Sequence, residues 1–491
     1  MTALNQANLT QLDAAVATPS YARDRVTPGI VHFGVGGFHR AHQAMYLDTL
    51  MNRGEALDWG IVGIGVMPGD KRMQAALAAQ DHLYTLVVKH PDGEYQPRVI
   101  GSIIDYLYAP DDIEAVLETL ADPRIRIVSL TVTEGGYNFH HVTGEFDLDN
   151  PDVQHDLASP QTPRTTFGIV IEALARRRAR DIAPFTLMSC DNIQGNGEVA
   201  HKMFVAYARA RDPELGAWVE AEVRFPNSMV DRITPVTTAA DIDEIAERFG
   251  LEDRWPVVCE PFTQWVLEDH FSLGRPAFET VEVQVVEDVM PYELMKLRLL
   301  NASHQALTYF GYLAGYRYAH EVCQDRTFVD FLLAYMDREA TPTLSPVPGV
   351  DLDAYKHTLI ARFANPEIKD TLARLCAESS DRIPKWLVPV IRERLAQDGD
   401  IRLSAAVVAS WARYAEGVDE QGASIEVVDR LKDSLMAIAQ RNRDEPTAFI
   451  ENRQLFGDLA DDPRFRAAYL DALERLHRDG ARACVEHLIG A

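Results

Sequence analysis

Cysteine is scarce in this chain and shows no pattern. Five residues, Cys190, Cys259, Cys323, Cys376 and Cys484, are spread over 491 positions with no CxxC pair. An odd, scattered set excludes a disulfide framework and the cysteine-bearing zinc motifs, and it fits a reducing compartment. Basic residues are also few: 48 Lys and Arg face 74 Asp and Glu, for a net charge of −26. A surface of that sign argues against nucleic acid and anionic membranes as partners. No apolar run reaches the roughly 20 residues of a membrane helix. The opening Met1-Thr-Ala-Leu-Asn-Gln6 has no basic segment followed by an apolar one, so a cytoplasmic location is expected. Internal repeats and low-complexity tracts are absent too. His39 and His42 stand three apart without the HExxH context that would make them ligands, and no metal site is expected.

What the chain does have is length and apolar material. At 491 residues and 47% hydrophobic content, it exceeds one hydrophobic core and predicts two or three domains. Gly29-Ile-Val-His-Phe-Gly34 reads as a short buried parallel strand. It runs into Gly34-Val35-Gly36-Gly37-Phe38-His39-Arg40 and then into a helical pattern from Ala41 to Met51. Strand, glycine turn and helix N-terminus together cradle a dinucleotide pyrophosphate, because glycine lets the backbone approach and the helix dipole favours the anion. Position 39 is histidine where the usual fingerprint has its third glycine, so a plain tight turn is the competing reading. A second strand, Trp59–Val66, is followed by Asp70, the candidate acid for the adenosine ribose, which favours NAD. Lys71 and Arg72 come next and keep a 2′-phosphate, hence NADP, open.

Further strands deliver polar groups to their carboxyl ends, the edge where open α/β sheets bind ligands. A hairpin is expected from His82–Val88 and Val99–Ile104, turned by Pro91-Asp92-Gly93. The β-branched run 124–133 ends at Glu134-Gly-Gly-Tyr137, and Pro184–Ser189 ends at Cys190-Asp191-Asn192. Asn192 can donate from its amide without titrating, which suits an oxygen gaining charge. Residues 144–165 read as a loop and 166–180 as an amphipathic helix. Phe225–Pro235 and Val257–Pro261 read as apolar strands bearing acids, and Thr280–Val286 alternates as a half-buried strand. Beyond about 288 the periodicity turns helical to the end, predicting units 1–287 and 288–491. A helix opening at Pro291 carries Lys296, Asn301 and His304 among leucines, within an arc of roughly 140° at α-helical spacing. Unpaired burial of such groups is costly, so they either line a site or serve structure as a snorkelling lysine, a paired histidine and a helix-end asparagine.

Three stretches together resemble the long-chain polyol dehydrogenases, and among them the mannitol 2-dehydrogenase branch. They are Phe33-Gly-Val-Gly-Gly-Phe-His-Arg-Ala-His42, Leu187-Met-Ser-Cys-Asp-Asn-Ile-Gln-Gly-Asn-Gly197 and Lys296-x4-Asn301-x2-His304. Thr131–Tyr137 and Asn227–Pro235 extend the likeness over nearly the whole chain. The resemblance implies an α/β fold, with a Rossmann-type N-terminal domain, a predominantly helical C-terminal domain and an active site in the cleft between them. It implies a metal-independent enzyme using NAD to oxidise a polyol to a ketose, D-mannitol to D-fructose, and to catalyse the reverse. By the same token Lys296 is the general base, Asn192 and Asn301 polarise the reacting oxygen, and His304 positions substrate. Asp231, Arg374 and Arg382 contact substrate, although position 382 is commonly lysine in the family, and Glu134 lies on the proton path to solvent.

Oxidising a secondary alcohol needs a base for the hydroxyl proton while hydride leaves the same carbon. Lysine, ordinarily near 10.4, serves only if burial and a nearby cation bring it toward about 7–8. A sugar-acid reductase such as a fructuronate reductase is the alternative, with Arg374, Arg382 or Lys385 holding the carboxylate. An arabinitol dehydrogenase and a catalytically silent nucleotide-binding protein remain as further readings. A small-molecule polyol or ketose is the expected partner, with no obligate protein partner and a monomer preferred, since the chain can bury its own core.

Overall fold

Five short apolar strands build the first sheet of the chain in the computed structural model, which describes residues 1–140 and 144–490. They are β1 (Pro28–Phe33), β2 (Gly60–Gly65), β3 (Ile103–Tyr108), β4 (Ile127–Leu130) and β5 (Thr186–Ser189). All pair in parallel, in the order β3-β2-β1-β4-β5. β2, β4 and β5 are buried throughout and β1 nearly so, while β3 at the edge is half-exposed, as a sheet covered on both faces requires. The chain winds outward from β1 to β3, then crosses back to β4. The strand order therefore reverses between β1 and β4, which opens the crevice where such sheets take ligands.

Two three-stranded sheets and a two-stranded pair, Thr2–Ala3 beside Leu251–Glu252, complete the first compact unit, Met1–Val289. Tyr84–Lys89 pairs antiparallel with Tyr95–Ile100 and parallel with Val257–Cys259. The expected second hairpin strand, Val99–Ile104, is instead the end of one strand and the start of β3. The chain changes sheets at Gly101, whose N–H is taken by Asp48 and whose carbonyl is taken by Arg23. Gln264–Glu268 pairs with Ser228–Asp231 and Gln284–Val286. The alternating run before 284 is not strand, because Phe278–Val281 closes into a 3₁₀ turn. The expected loop 144–165 contains a helix, Pro151–Ala158, capped by the Asn150 side chain and opening on proline.

The second compact unit, Met290–Ala491, is helical, and among the described residues it holds isolated β-bridges and no paired strands. Its first helix departs from the expected uniform α winding. Met290–Met295 is α, Lys296–Asn301 is a π-turn, and Ala302–Leu313 returns to α. All six residues of the π-turn are buried. A second π-turn, Met336–Ala340, follows the helix Arg326–Tyr335. Among the described residues no helix is long and apolar enough to cross a membrane.

Candidate active site

β1 delivers the chain to Gly34, whose φ is +90°. A Cβ there would lie 2.2 Å from the Thr131 carbonyl oxygen, so β4 leaves room only for glycine. Gly36 N–H donates to the Gly34 oxygen at 2.7 Å, and the helix Gly37–Ala41 begins at once. Gly36 is exposed and Gly34, Gly37 and Phe38 are half-buried, while Val35 belongs to the core. The side chains of His39 and Arg40 point inward. His39 stacks on His32 with centroids 3.4 Å apart, and His32 shares hydrogen bonds with Ser129 and Thr131. Stacked imidazoles thus give the close strand-to-helix packing that the third glycine of the common fingerprint usually allows. Burial pushes His32 down to about 3 and His39 well below its ordinary value, so neither is a cationic anchor. Arg40 donates to the Trp255 carbonyl and lies over the Tyr84 ring. A pyrophosphate would meet this turn through the backbone of residues 34–38.

At the carboxyl edge of the same sheet lies a cavity of about 480 Å³ lined by Gly34, Met67, Asp70, Gly136, Val153 and Phe167, among others. Asp70 Oδ2 accepts the N–H groups of Val66 and Met67, both at 2.9 Å, closing the turn after β2. Lys71 does not line the cavity: it pairs with Asp111 and lies over the Tyr108 ring. Arg72 is likewise engaged elsewhere, over the Trp255 ring at 4.5 Å. The two cations after Asp70 therefore have partners of their own, and Asp70 remains in the cavity lining.

The ladder between β4 and β5 ends where Cys190 N–H donates to the Leu130 oxygen. Just beyond it, the Asp191 carboxylate accepts the N–H groups of Val132 and Thr133 and the Tyr137 hydroxyl. Burial pushes Asp191 up to about 6 against the pull of these donors. Asn192 is exposed at the sheet edge. Asn196 bonds the Asp191 carbonyl and both backbone groups of Ser228, tying this edge to the strand that ends at buried Asp231. Gly197 passes beneath Phe225 and Pro226, whose oxygens would lie 2.6 Å from any Cβ. Across from it, exposed Glu134 opens a 3₁₀ turn right after Thr133, which sits at φ +64°. A β-branched residue held there stores on the order of 1–3 kcal/mol of strain.

In the second unit, the π-turn changes how Lys296 and Asn301 face. Five residues along an α-helix leave two side chains about 140° apart. A turn closed i→i+5 carries more residues per revolution, so Asn301 comes nearer to lying above Lys296. Lys296 is 7% and Asn301 4% exposed, and Asn301 Oδ1 is buried with no hydrogen-bond partner among the described residues. A buried amide oxygen with unspent bonding capacity is what a substrate hydroxyl would complete. The His304 ring rests on Phe363 at 4.3 Å. Burial, then Arg374, Arg362, Arg382 and Lys296, hold His304 well below its ordinary value, so it is a neutral imidazole. The fold thus gathers Lys296, His304, Arg374 and Arg382, and adds Arg362, which no local pattern marks. Arg374 is held bidentate by Asp370 at 2.6 and 2.7 Å, and Arg382 donates to the Leu375 carbonyl. Among the described residues no three His, Cys, Asp or Glu side chains are grouped so as to hold a metal ion.

A sheet ordered 3-2-1-4-5, whose first strand empties into a glycine turn and whose second is followed by an acid at the start of the next helix, defines a dinucleotide-binding protein of the Rossmann class. The chain belongs to the mannitol dehydrogenase family: residues 4–280 match the mannitol dehydrogenase Rossmann domain and residues 288–477 the mannitol dehydrogenase C-terminal domain. Mannitol 2-dehydrogenase of Phaeosphaeria nodorum is 48% identical over 486 residues, covering 98% of this chain and 85% of that one. The Aspergillus fumigatus enzyme of the same name is 48% identical over 488 residues, covering 97% of each. Among solved structures, the Pseudomonas fluorescens mannitol 2-dehydrogenase ternary complex with NAD and D-mannitol aligns over 100% of both chains, with a TM-score of 0.92 and 46% identity. A D-sorbitol dehydrogenase in substrate-free form aligns over 98% of this chain and 100% of its own, with a TM-score of 0.91 and 38% identity.

Proposed function

We propose that the protein is an NAD-dependent polyol dehydrogenase that oxidises D-mannitol to D-fructose and catalyses the reverse reduction. The observation that carries this reading is the full-length likeness to a mannitol 2-dehydrogenase solved with NAD and D-mannitol. Asp70 in the cavity, with Lys71 and Arg72 engaged elsewhere, supports NAD over NADP. When bound, NAD supplies the acceptor for the hydride that leaves the alcohol carbon.

Lys296 is the general base in this reading. Lysine removes a hydroxyl proton only as the neutral amine, the form that burial and neighbouring cations favour. The amides of Asn192 and Asn301 donate to the oxygen as it gains negative charge, and neither has to change protonation state to do so. His304, Asp231, Arg374 and Arg382 hold the remaining hydroxyls. Glu134, exposed beside a strained turn, passes the proton toward water. Five buried thiols in no disulfide support a reducing, cytoplasmic setting, and a monomer is the working assembly.

The cations around His304 are the specific support for a second reading, a sugar-acid reductase. Asp370 neutralises Arg374 and weakens it. One assay separates the readings: nicotinamide absorbance followed with mannitol, arabinitol, sorbitol, fructose and fructuronate, each with NAD(H) and NADP(H). The expected result is highest kcat/KM for mannitol and fructose with NAD(H). Preference for fructuronate overturns the polyol reading, and no turnover with any substrate leaves a silent nucleotide-binding protein.

A further inference from the structure

We infer that Asp191 is a positioning residue which sets Asn192 and the Glu134 segment in register with each other. The inference rests on the roles proposed above for those two residues. Backbone pairing of β4 with β5 stops at the bond from Cys190 N–H to the Leu130 oxygen, 2.8 Å. Beyond that point the N–H groups of Val132 and Thr133 need an acceptor, since buried or half-buried backbone donors are rarely left unpaired. The Asp191 carboxylate supplies it: Oδ1 accepts from Thr133 at 2.7 Å, and Oδ2 from Val132 at 3.3 Å and from the Tyr137 hydroxyl at 2.8 Å. Tyr137 is also within 2.6 Å of Ser189 Oγ, on β5 itself. One side chain therefore grips both ends of the Glu134-Gly-Gly-Tyr137 turn and replaces the missing ladder.

Two features show that this grip is directional. Thr133, the residue just before Glu134, is held at φ +64°, a conformation that persists only where its surroundings enforce it. On its other side Asp191 is itself fixed, its carbonyl taken by Asn196, which also pairs with both backbone groups of Ser228. Asn192 follows directly from this anchored residue. Its amide is therefore aimed by a carboxylate occupied by Val132, Thr133 and Tyr137, and the same carboxylate aims Glu134 from across the sheet edge.

The test is a double-mutant cycle on kcat for mannitol oxidation, with NAD affinity measured by fluorescence titration alongside. Asp191→Asn alone is expected to lower kcat by about tenfold or more with NAD affinity held within roughly threefold. In an Asn192→Ala background the same change is expected to cost less than about threefold, because residues acting as one unit are not additive. Full additivity of the two losses overturns the inference, as does an Asp191→Asn enzyme with wild-type kcat. Tyr137→Phe, which removes one donor to Asp191, runs through the same cycle if Asp191→Asn does not fold, and its additivity counts equally against the proposal. The single Asn192→Ala enzyme judges the parent reading separately: wild-type kcat there removes Asn192 from catalysis.

Discussion

Tyr335 donates its phenol hydrogen to the backbone carbonyl of Arg298 at 3.2 Å, in the middle of the π-turn that carries Lys296 and Asn301. Arg298 itself donates to Glu393 through both terminal nitrogens and to the Thr343 carbonyl. The widened winding is thus held from outside, as a turn that departs from α geometry must be. Tyr335→Phe is expected to cost about 1 kcal/mol, the usual worth of one internal hydrogen bond. Urea unfolding followed by tryptophan fluorescence reads this as a lower midpoint, and an unchanged midpoint contradicts it.

Removal of the base is the most severe change expected at the site. Lys296→Ala should lower kcat by about 10²–10⁴-fold, the range general base catalysis supplies, while NAD still binds. Stopped-flow turnover and coenzyme titration together decide it, and near-normal turnover removes the lysine from its role.

The oxygen-stabilising pair makes a separate prediction. Asn192→Ala and Asn301→Ala are each expected to lower kcat by about 10²–10³, as loss of one oxyanion donor does, with little change in NAD affinity. A loss confined to KM would instead make the amides simple substrate contacts.

Coenzyme choice rests on Asp70. Asp70→Ala should weaken NAD binding at least about tenfold, because it removes a ribose acceptor and the bonds to Val66 and Met67 that shape the cavity rim. Lys71→Ala should leave NAD affinity almost unchanged. Equal effects from the two substitutions would refute the assignment.

Stability should fall as pH rises on account of Glu339. Its buried carboxylate accepts the N–H groups of Leu403 and Ser404 at the start of the helix Arg402–Tyr414, and burial pushes it up to about 7. The folded chain therefore holds this proton more tightly than the unfolded chain. Its contribution is fully present below the ordinary carboxylate range and is lost as pH climbs through about 7. Between about pH 5 and 8 the urea midpoint of the wild type should decline more steeply than that of Glu339→Gln. Parallel declines would show that Glu339 does not titrate there.

Much of the first unit was legible because its signals are local. Gly34 at a strand end and the apolar runs of β1, β2, β4 and β5 follow from short-range sterics and burial. The helix Pro151–Ala158 is hidden in the sequence although Asn150 and Pro151 signal its start, because the many polar residues around it read as loop. The inward turn of His39 rests on stacking against His32 across the glycine turn, and that of Arg40 on Trp255, a partner far off in sequence. Arg362 lies on an ordinary helix and joins His304 only through tertiary packing. Lys296 and Asn301 stand out as polar residues among leucines, but apolar periodicity averages over several turns and does not distinguish one π revolution from α winding.

That revolution differs from ordinary winding by a single residue. Deleting Leu299 would let the segment close as α-helix with Asn301 four residues after Lys296 and only about 40° from it, so the helix beyond would keep its register. With Leu299 kept but the turn wound as α, Asn301 would instead stand about 140° from Lys296 without any change in its identity. In this stretch it is the winding, as much as the side chains, that brings a lysine and an asparagine five residues apart toward one face.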